Sequence, residues 1–326
     1  MTTRRTLLAG AASLLAAPAF AQSQNLAPWP NRPIRLVIPF APGGSTDVIG
    51  RLLSDQLSQR LGQPIVVDNR GGAGATLGTG LVADAPADGY TVLLSPVSAF
   101  NVGATLYRGR INWDPVRSFA HVAMIQRGYY ALMANARSPF ANPAELAAEA
   151  KRRPGLNYAT SGVGSLPHLV MLRFCQIAGI EMQHIPYRGG MQAVQDTING
   201  TVPVTLDGIA ASVGFLRQGQ IRGIGLTGPA RHPDFPDMPT FVEAGFPQLV
   251  AEGWAGFSFP AATPRPIQQR FADETKAVLA LPAVQARYRE LAQDVGDRFM
   301  DEFQAFVAQE VETWRPLVIA SGATVD

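Results

Sequence analysis

Four histidines, one cysteine and several turns rich in serine and glycine are the residues from which this 326-residue chain could build chemistry. None of His121, His168, His184 and His232 has close metal-ligand spacing to another histidine or to Cys175, so no metal site is expected. Ser165 and His168 are three apart and could touch on one helix, as a nucleophile and its base would. No orienting acid stands in view, and a helix cap beside a polar neighbour is the plainer reading. Gly162-Val163-Gly164-Ser165-Leu166 is not a nucleophile elbow, because its serine comes one place late. Gly72-x-Gly74 begins like a dinucleotide fingerprint, but Leu77 stands where the third glycine belongs, and a phosphate-loop lysine is absent. Cys175 lies in an apolar helical run and reads as a buried thiol; as the only cysteine it forms no intrachain disulfide. No catalytic residue and no cofactor emerge.

Anion binding is the chemistry that survives. The stretch 39–47, PFAPGGSTD, follows an apolar run rich in β-branched residues at 34–38, which reads as a strand. It precedes Val48, Ile49, Leu52, Leu53, Leu57 and Leu61 at helical spacing, with Arg51, Asp55 and Gln59 on the other side. In this strand-to-helix turn Pro42 stiffens the backbone. Gly43 and Gly44 remove side chains where the chain must bend or where something must come close. The first turn of a helix carries unpaired N–H groups and a partial positive charge, so a carboxylate or phosphate is stabilised there without lysine or arginine. A plain βα connection with Asp47 or Ser45 as a cap would use the same residues. The turn at 160–165, TSGVGS, repeats the pattern before a second helix.

Alternating elements must position these turns. Strands are expected at 65–67 and 91–94, with a small-residue helix through Leu77, Leu81 and Val82 between them and a loop at 95–101. That order implies a parallel sheet covered on both faces, with ligands gathering at the carboxyl ends of its strands. A second unit begins near Tyr129. Asn142-Pro143-Ala144-Glu145 is a capped helix start; short strands follow at 157–159, 182–185, 202–206 and 221–226. The run 249–259 is long enough to cross back between domains, and three C-terminal helices cover an outer face.

Residues 1–21 read as a signal peptide: Arg4-Arg5, an apolar run too short to span a bilayer, and a small-x-small site at Ala19-Phe20-Ala21. The chain is therefore expected in the periplasm, cleaved after Ala21, by either general or twin-arginine export. Without these residues the formal charge falls from +2 to zero, because Arg4 and Arg5 leave. No basic run stands out, so nucleic acid and anionic membrane surfaces are poor candidates for partners.

The chain resembles the extracytoplasmic solute-binding receptors of tripartite tricarboxylate transporters, the Bug or TctC family. The resemblance is carried by PFAPGGSTD at 39–47, VVDNRGGAGATLG at 66–78, ADGYTVLL at 87–94, NYATSGVGSLPHL at 157–169 and HIPYRGG at 184–190. It continues through the strand into Asp207, GLTGPAR at 225–231, PTFVEAG at 239–245 and WAGFSFPAATP at 254–264. It implies an α/β periplasmic-binding-protein (Venus flytrap) fold with the ligand cleft between two α/β domains: residues 22–127 with 251–326, and residues 128–250. It implies a monomeric receptor, not an enzyme, without cofactor, that passes a small organic carboxylate to the membrane permease subunits of such a transporter.

Carried over by resemblance, the carboxylate is held by Pro42, Gly43, Gly44 and Asp47 from one loop and by Ser161, Gly164, Ser165 and His168 from the facing one. Gly72, Gly74, Asn101, Tyr187 and Asp207 line the rest. Asp207 would repel a carboxylate and favour an ammonium or hydroxyl, or it holds a neighbouring N–H. Tyr187 is a pocket wall or an interdomain contact, and His168 donates to the anion or caps its own helix. Val102 replaces a proline common in relatives, Gly208 replaces an asparagine, and 107–110 is unusually basic, so the ligand's side group stays open. An exported α/β hydrolase or oxidoreductase is an alternative, as is an accessory that presents a bound carboxylate to a membrane sensor kinase.

Overall fold

The computed structural model describes residues 29–325, so the expected signal peptide lies outside the described residues. β1 (Ile34–Ile38) runs into the turn at 39–44 and then α1 (Ser45–Leu61), which Gly62 ends in the left-handed conformation. β2 (Ile65–Asn69), α2 (Thr76–Ala83) and β3 (Thr91–Pro96) follow, and β1 lies parallel between β2 and β3. Ile34, Leu36 and Ile38 on one face of β1 pack with Ile49, Leu53 and Leu57 of α1 in one core cluster. The inner face of α2 differs from expectation. Leu77 and Leu81 are 59% and 44% exposed, because the helix packs through its small residues. A Cβ on Gly78 would lie 2.6 Å from the Arg70 carbonyl oxygen and 2.8 Å from Pro39, so only glycine allows that approach.

The expected loop after β3 is a π-helical turn, Ser98–Gly103, continued by the single turn α3 (Ala104–Leu106). β4 (Phe119–Asn135) is a 17-residue strand. Its first part pairs with the later strand β9, and its last part, Tyr130–Asn135, pairs with β7 and β8. One strand therefore belongs to two halves of the sheet. The second half is built from α4 (Pro143–Arg152), β5 (Leu156–Thr160), α5 (Leu166–Ala178), β6 (Met182–Pro186), α6 (Gly190–Asn199), β7 (Val204–Gly208), α7 (Val213–Arg217) and β8 (Ile221–Leu226). α4 starts as read, with Asn142 accepting from the Glu145 N–H and Glu145 reaching back to the Ala141 N–H. Asp207 belongs to β7 rather than following it.

β9 (Glu252–Pro260) returns to the first half and runs antiparallel to both β3 and β4. The sheet is therefore mixed where a parallel one was expected, since a strand arriving from the other half enters from the opposite end. α8 (Arg265–Leu279), α9 (Pro282–Glu290), β10 (Asp294–Val295) and α10 (Asp301–Ala320) complete the chain. Cys175 on α5 is half-buried, and burial pushes its thiol up to about 11.

Candidate functional site

The carboxyl ends of β1, β3, β5 and β7 face one another across the two halves of the sheet and enclose a small cavity of about 50 Å³. Gly44, Ser45 and Thr46 at the start of α1 line it, with Pro96, Val97 and Ser98 after β3, Ser161 and Pro167 before and in α5, Gly190 at the start of α6, and Asp207 and Gly208 of β7. Its floor is the paired stretch of β4 and β9, with Gln126 and Gly128 to Tyr130 on one strand and Gly253 to Ala255 on the other, and Gln293 beside it.

Two of the converging helices begin at glycine. Gly44 caps α1 and Gly189 caps α6, and neither provides a side-chain hydrogen bond; the first N–H groups of α1 face the space, while the Asp207 carboxylate stands against Gly190 at the start of α6. Gly43 has φ +85°, as the tight turn requires. Gly44 is extended at φ −73°, so its role is close approach: a Cβ there would stand 3.7 Å from the Gly190 nitrogen on the other half.

The two halves touch around this cavity. The Ser45 hydroxyl donates to the Gly208 carbonyl at 2.7 Å and accepts from the Ala211 N–H at 3.1 Å. The Ala41 N–H donates to the Arg188 carbonyl at 3.1 Å, and the Tyr107 hydroxyl donates to the Val163 carbonyl at 3.2 Å. The Leu166 N–H donates to the Ser98 hydroxyl at 3.1 Å. Ala73, Gly74 and Ala75 all have positive φ, at 48°, 59° and 78°, in a strained left-handed turn that carries Gly74 against Val163 and Gly164.

Of the residues expected to bind, the structure brings Gly44, Ser161 and Asp207 to the cavity wall. The others make the following contacts outside that wall. Pro42 is exposed. Asp47 turns inward, accepting from the Gly43 N–H and Arg51 Nε through one oxygen and from Asn69 through the other, and these bonds hold its carboxyl below the usual range although burial opposes them. Gly72 (φ +143°) and Gly74 shape the contact loop. Ser165 caps α5 by accepting from the His168 N–H at 3.3 Å. His168 Nδ1 accepts from the Gly164 N–H, and its ring stacks on His184 at 4.2 Å. Burial drives His168 down to about 4 and His184 to about 3, so both are neutral and His168 offers no charge to an anion. The start of α5 is thus capped, with its first N–H used by Ser98, and the start facing α1 is that of α6. Tyr187 donates to Asp196 at 2.5 Å, away from the cavity.

Asn101 is buried behind the wall, donating to Glu310 Oε2 at 2.8 Å. The same oxygen accepts from Trp254 Nε1 at 3.3 Å and Trp314 Nε1 at 3.2 Å, and Trp254 lines the cavity. Glu310→Ala is expected to leave three donors unpaired and to cost roughly 2–4 kcal/mol, read by urea denaturation. Equal stability would show that the network carries no weight.

Asp207 is 9% exposed. One oxygen accepts from the Gly208 N–H at 2.8 Å; the other has no hydrogen-bond partner among the described residues. Burial pushes this carboxyl up to about 7. Gly190 makes room for it, since a Cβ there would fall 1.1 Å from Oδ2. Gln126, Tyr130 and Trp254 were not singled out as site residues, since they lie within the strands β4 and β9 rather than in a glycine turn. Ser45 and Thr46 lay in plain view in the first glycine turn. Among the described residues no lysine, arginine or histidine lines the cavity, and no group of side chains could hold a metal ion.

The profile of the tripartite tricarboxylate transporter family receptor matches residues 49–323. The protein BugT of Bordetella pertussis is 34% identical over 303 residues, 90% of this chain and 91% of that one. A Rhodopseudomonas palustris structure with adipate superposes with a TM-score of 0.86 at 31% identity, covering 91% of this chain and all of that one. MatC from Rhodopseudomonas palustris with bound malate has a TM-score of 0.84 at 29% identity, covering 89% of this chain and all of that one.

Proposed function

The chain belongs to the tripartite tricarboxylate transporter receptor family, with its Venus flytrap fold, and from that premise we propose that it captures a small organic carboxylate between its lobes and delivers it to a membrane permease. The observation that carries this reading is the pair of helix starts, α1 and α6, meeting at one cavity with no cationic side chain in its wall. Backbone N–H groups and hydroxyls of both lobes are then the grip, and a carboxylate engages both sets only when the lobes meet. The adipate and malate bound by similar structures support a carboxylate.

The lobes in this reading are 22–127 with 251–326 and 128–250, hinged where β4 passes from β9 to β7 and where the chain returns at Ala251. The protein acts in the periplasm as a monomer after cleavage at Ala21, and binds without catalysing a reaction.

The test is thermal shift with mono-, di- and tricarboxylates, each beside its amide. At a hundred times its dissociation constant, a true ligand adds about 2.7 kcal/mol of stability. The amide, lacking the charge, is expected to shift far less. Equal shifts for acid and amide would remove the anion grip, and small-angle scattering should show a smaller radius of gyration with the acid.

A further inference from the structure

A second concavity lies on the lobe that carries α1, between α10 and the segment after β3. It is an open groove of about 850 Å³, lined by Arg108, Trp113 and Arg117 on one side and by Val311, Arg315 and Ile319 of α10 on the other. Its charges are unevenly matched. Asp114 accepts from the N–H groups of Val116 and Arg117 at 2.9 and 2.7 Å, and Glu312 pairs with Arg315 at 2.8 Å. The guanidinium groups of Arg108 and Arg117 are exposed and have no partner among the described residues. Arg108 belongs to the unusually basic stretch at 107–110, to which the carboxylate site gives no role. Apolar surface lies beside these cations. Ile319 is 68% exposed in the groove. α2 adjoins it, with Gly80 against Trp113 and Asp84 accepting from Asn112 at 3.1 Å, and that helix carries the exposed Leu77 and Leu81.

Both walls of the groove are tied to the ligand cavity. Glu310 of α10 accepts from Asn101 and from Trp254, whose ring lines that cavity. The other wall continues the turn at 98–103, where Ser98 takes the Leu166 N–H of the opposite lobe, and Tyr107 beside Arg108 donates to the Val163 carbonyl there. A partner seated in the groove therefore rests on the elements that touch the cavity on one side and the opposite lobe on the other.

We propose that this groove docks an acidic polypeptide segment bearing apolar side chains, a segment of the membrane permease that receives the ligand. The identity of the partner rests on the reading of the chain as a receptor that delivers its carboxylate. Carboxylates of the segment pair with Arg108 and Arg117, whose planar forks each suit a carboxylate through two parallel hydrogen bonds, and its apolar side chains cover Ile319. The concave shape favours a polypeptide over a flat lipid surface. The chain without residues 1–21 has zero formal charge, so no wider basic field draws it to an anionic membrane.

The experiment is fluorescence anisotropy of the full mature chain with a short fluorescein-labelled peptide of alternating glutamate and leucine, beside the same peptide with glutamine for glutamate. The glutamate peptide is expected to bind on the order of 10-fold tighter, and the double variant Arg108→Glu with Arg117→Glu to lose that difference. Arg137→Glu with Arg153→Glu, an equal change of charge at exposed residues of the other lobe, should keep it. Circular dichroism checks the fold of both variants. Equal binding of the two peptides, or equal loss in both variants, would overturn the groove as the docking site. So would a chain that ignores the peptides and binds phosphatidylglycerol vesicles through Arg108 and Arg117. The carboxylate panel, run by thermal shift on the same proteins, separates docking from reception. If carboxylates stabilise the chain and the groove does not hold the peptide, the docking surface falls and the receptor stands. If the groove holds the peptide and no carboxylate stabilises the chain, the receptor reading falls and the permease assignment falls with it.

Discussion

Gly74→Ala is expected to weaken ligand binding by on the order of 100-fold while leaving the ligand-free fold in place, although residue 74 does not line the cavity. The added Cβ would sit 2.6 Å from the Val163 carbonyl oxygen and 2.7–2.8 Å from the Gly164 carbonyl group. These are backbone atoms of the opposite lobe, so no side chain can swing aside, and an overpacked contact of this kind costs roughly 1–3 kcal/mol. The left-handed angle is a smaller obstacle, because Ala73 and Ala75 already adopt positive φ on either side. The cost therefore falls on the state in which the lobes touch. Calorimetry with the best ligand reads the loss, and scattering should show that ligand no longer compacts the variant. Gly219→Ala is the control: its φ is +67° and nothing lies within 4 Å of the added carbon, so it carries the strain alone. Unchanged affinity in Gly74→Ala would mean that ligand is held without the contact between these loops.

Stability should fall by about 3 kcal/mol between pH 7 and pH 5, steepening toward the acid end. Burial lowers His121 and His168 to about 4 and His184 to about 3, against 6.5 when exposed. Below pH 6.5 the unfolded chain binds three protons that the folded chain refuses, so the stability these groups contribute, complete above 6.5, is lost as pH falls. Asp207 works the other way. Its carboxyl is raised to about 7 from 3.8, so the folded chain takes up one proton that the unfolded chain does not over that interval. The net is two protons. Urea denaturation at half-unit steps measures the slope, and His184→Gln should reduce it by one proton. A flat profile would mean that these rings reach solvent.

The strands and helix starts were legible because their signals are local. The β-branched run at 34–38, the asparagine cap with proline at 142–143 and the glycine stops all act within a few residues. The site was half legible for the same reason. Both glycine turns looked equally bare. Choosing between them depends on Ser98, whose hydroxyl takes the Leu166 N–H from 68 positions away. That contact leaves α6 rather than α5 opposite α1. The polar break at Gln126-Arg127 marked β4 as unusual but not as part of the site, because which face of that strand meets a ligand is decided by its pairing to β7 and β9. Gly190 lay within a motif that carried the resemblance, yet its reason emerges only beside Asp207.

The lone cysteine has a practical consequence. Thiol-directed reagents attack the thiolate, and a thiol raised to about 11 from an ordinary 9.0 presents roughly 100-fold less of it at neutral pH than an exposed cysteine. Cys175 is therefore close to silent toward brief maleimide treatment. A new cysteine at exposed Val66 on β2, paired with one at exposed Gln183 on β6, the strands at opposite ends of the sheet order, would give two addressable handles without removing the native residue. A donor and acceptor dye placed there would report the distance between lobes in single molecules, turning each capture and release into a change of colour.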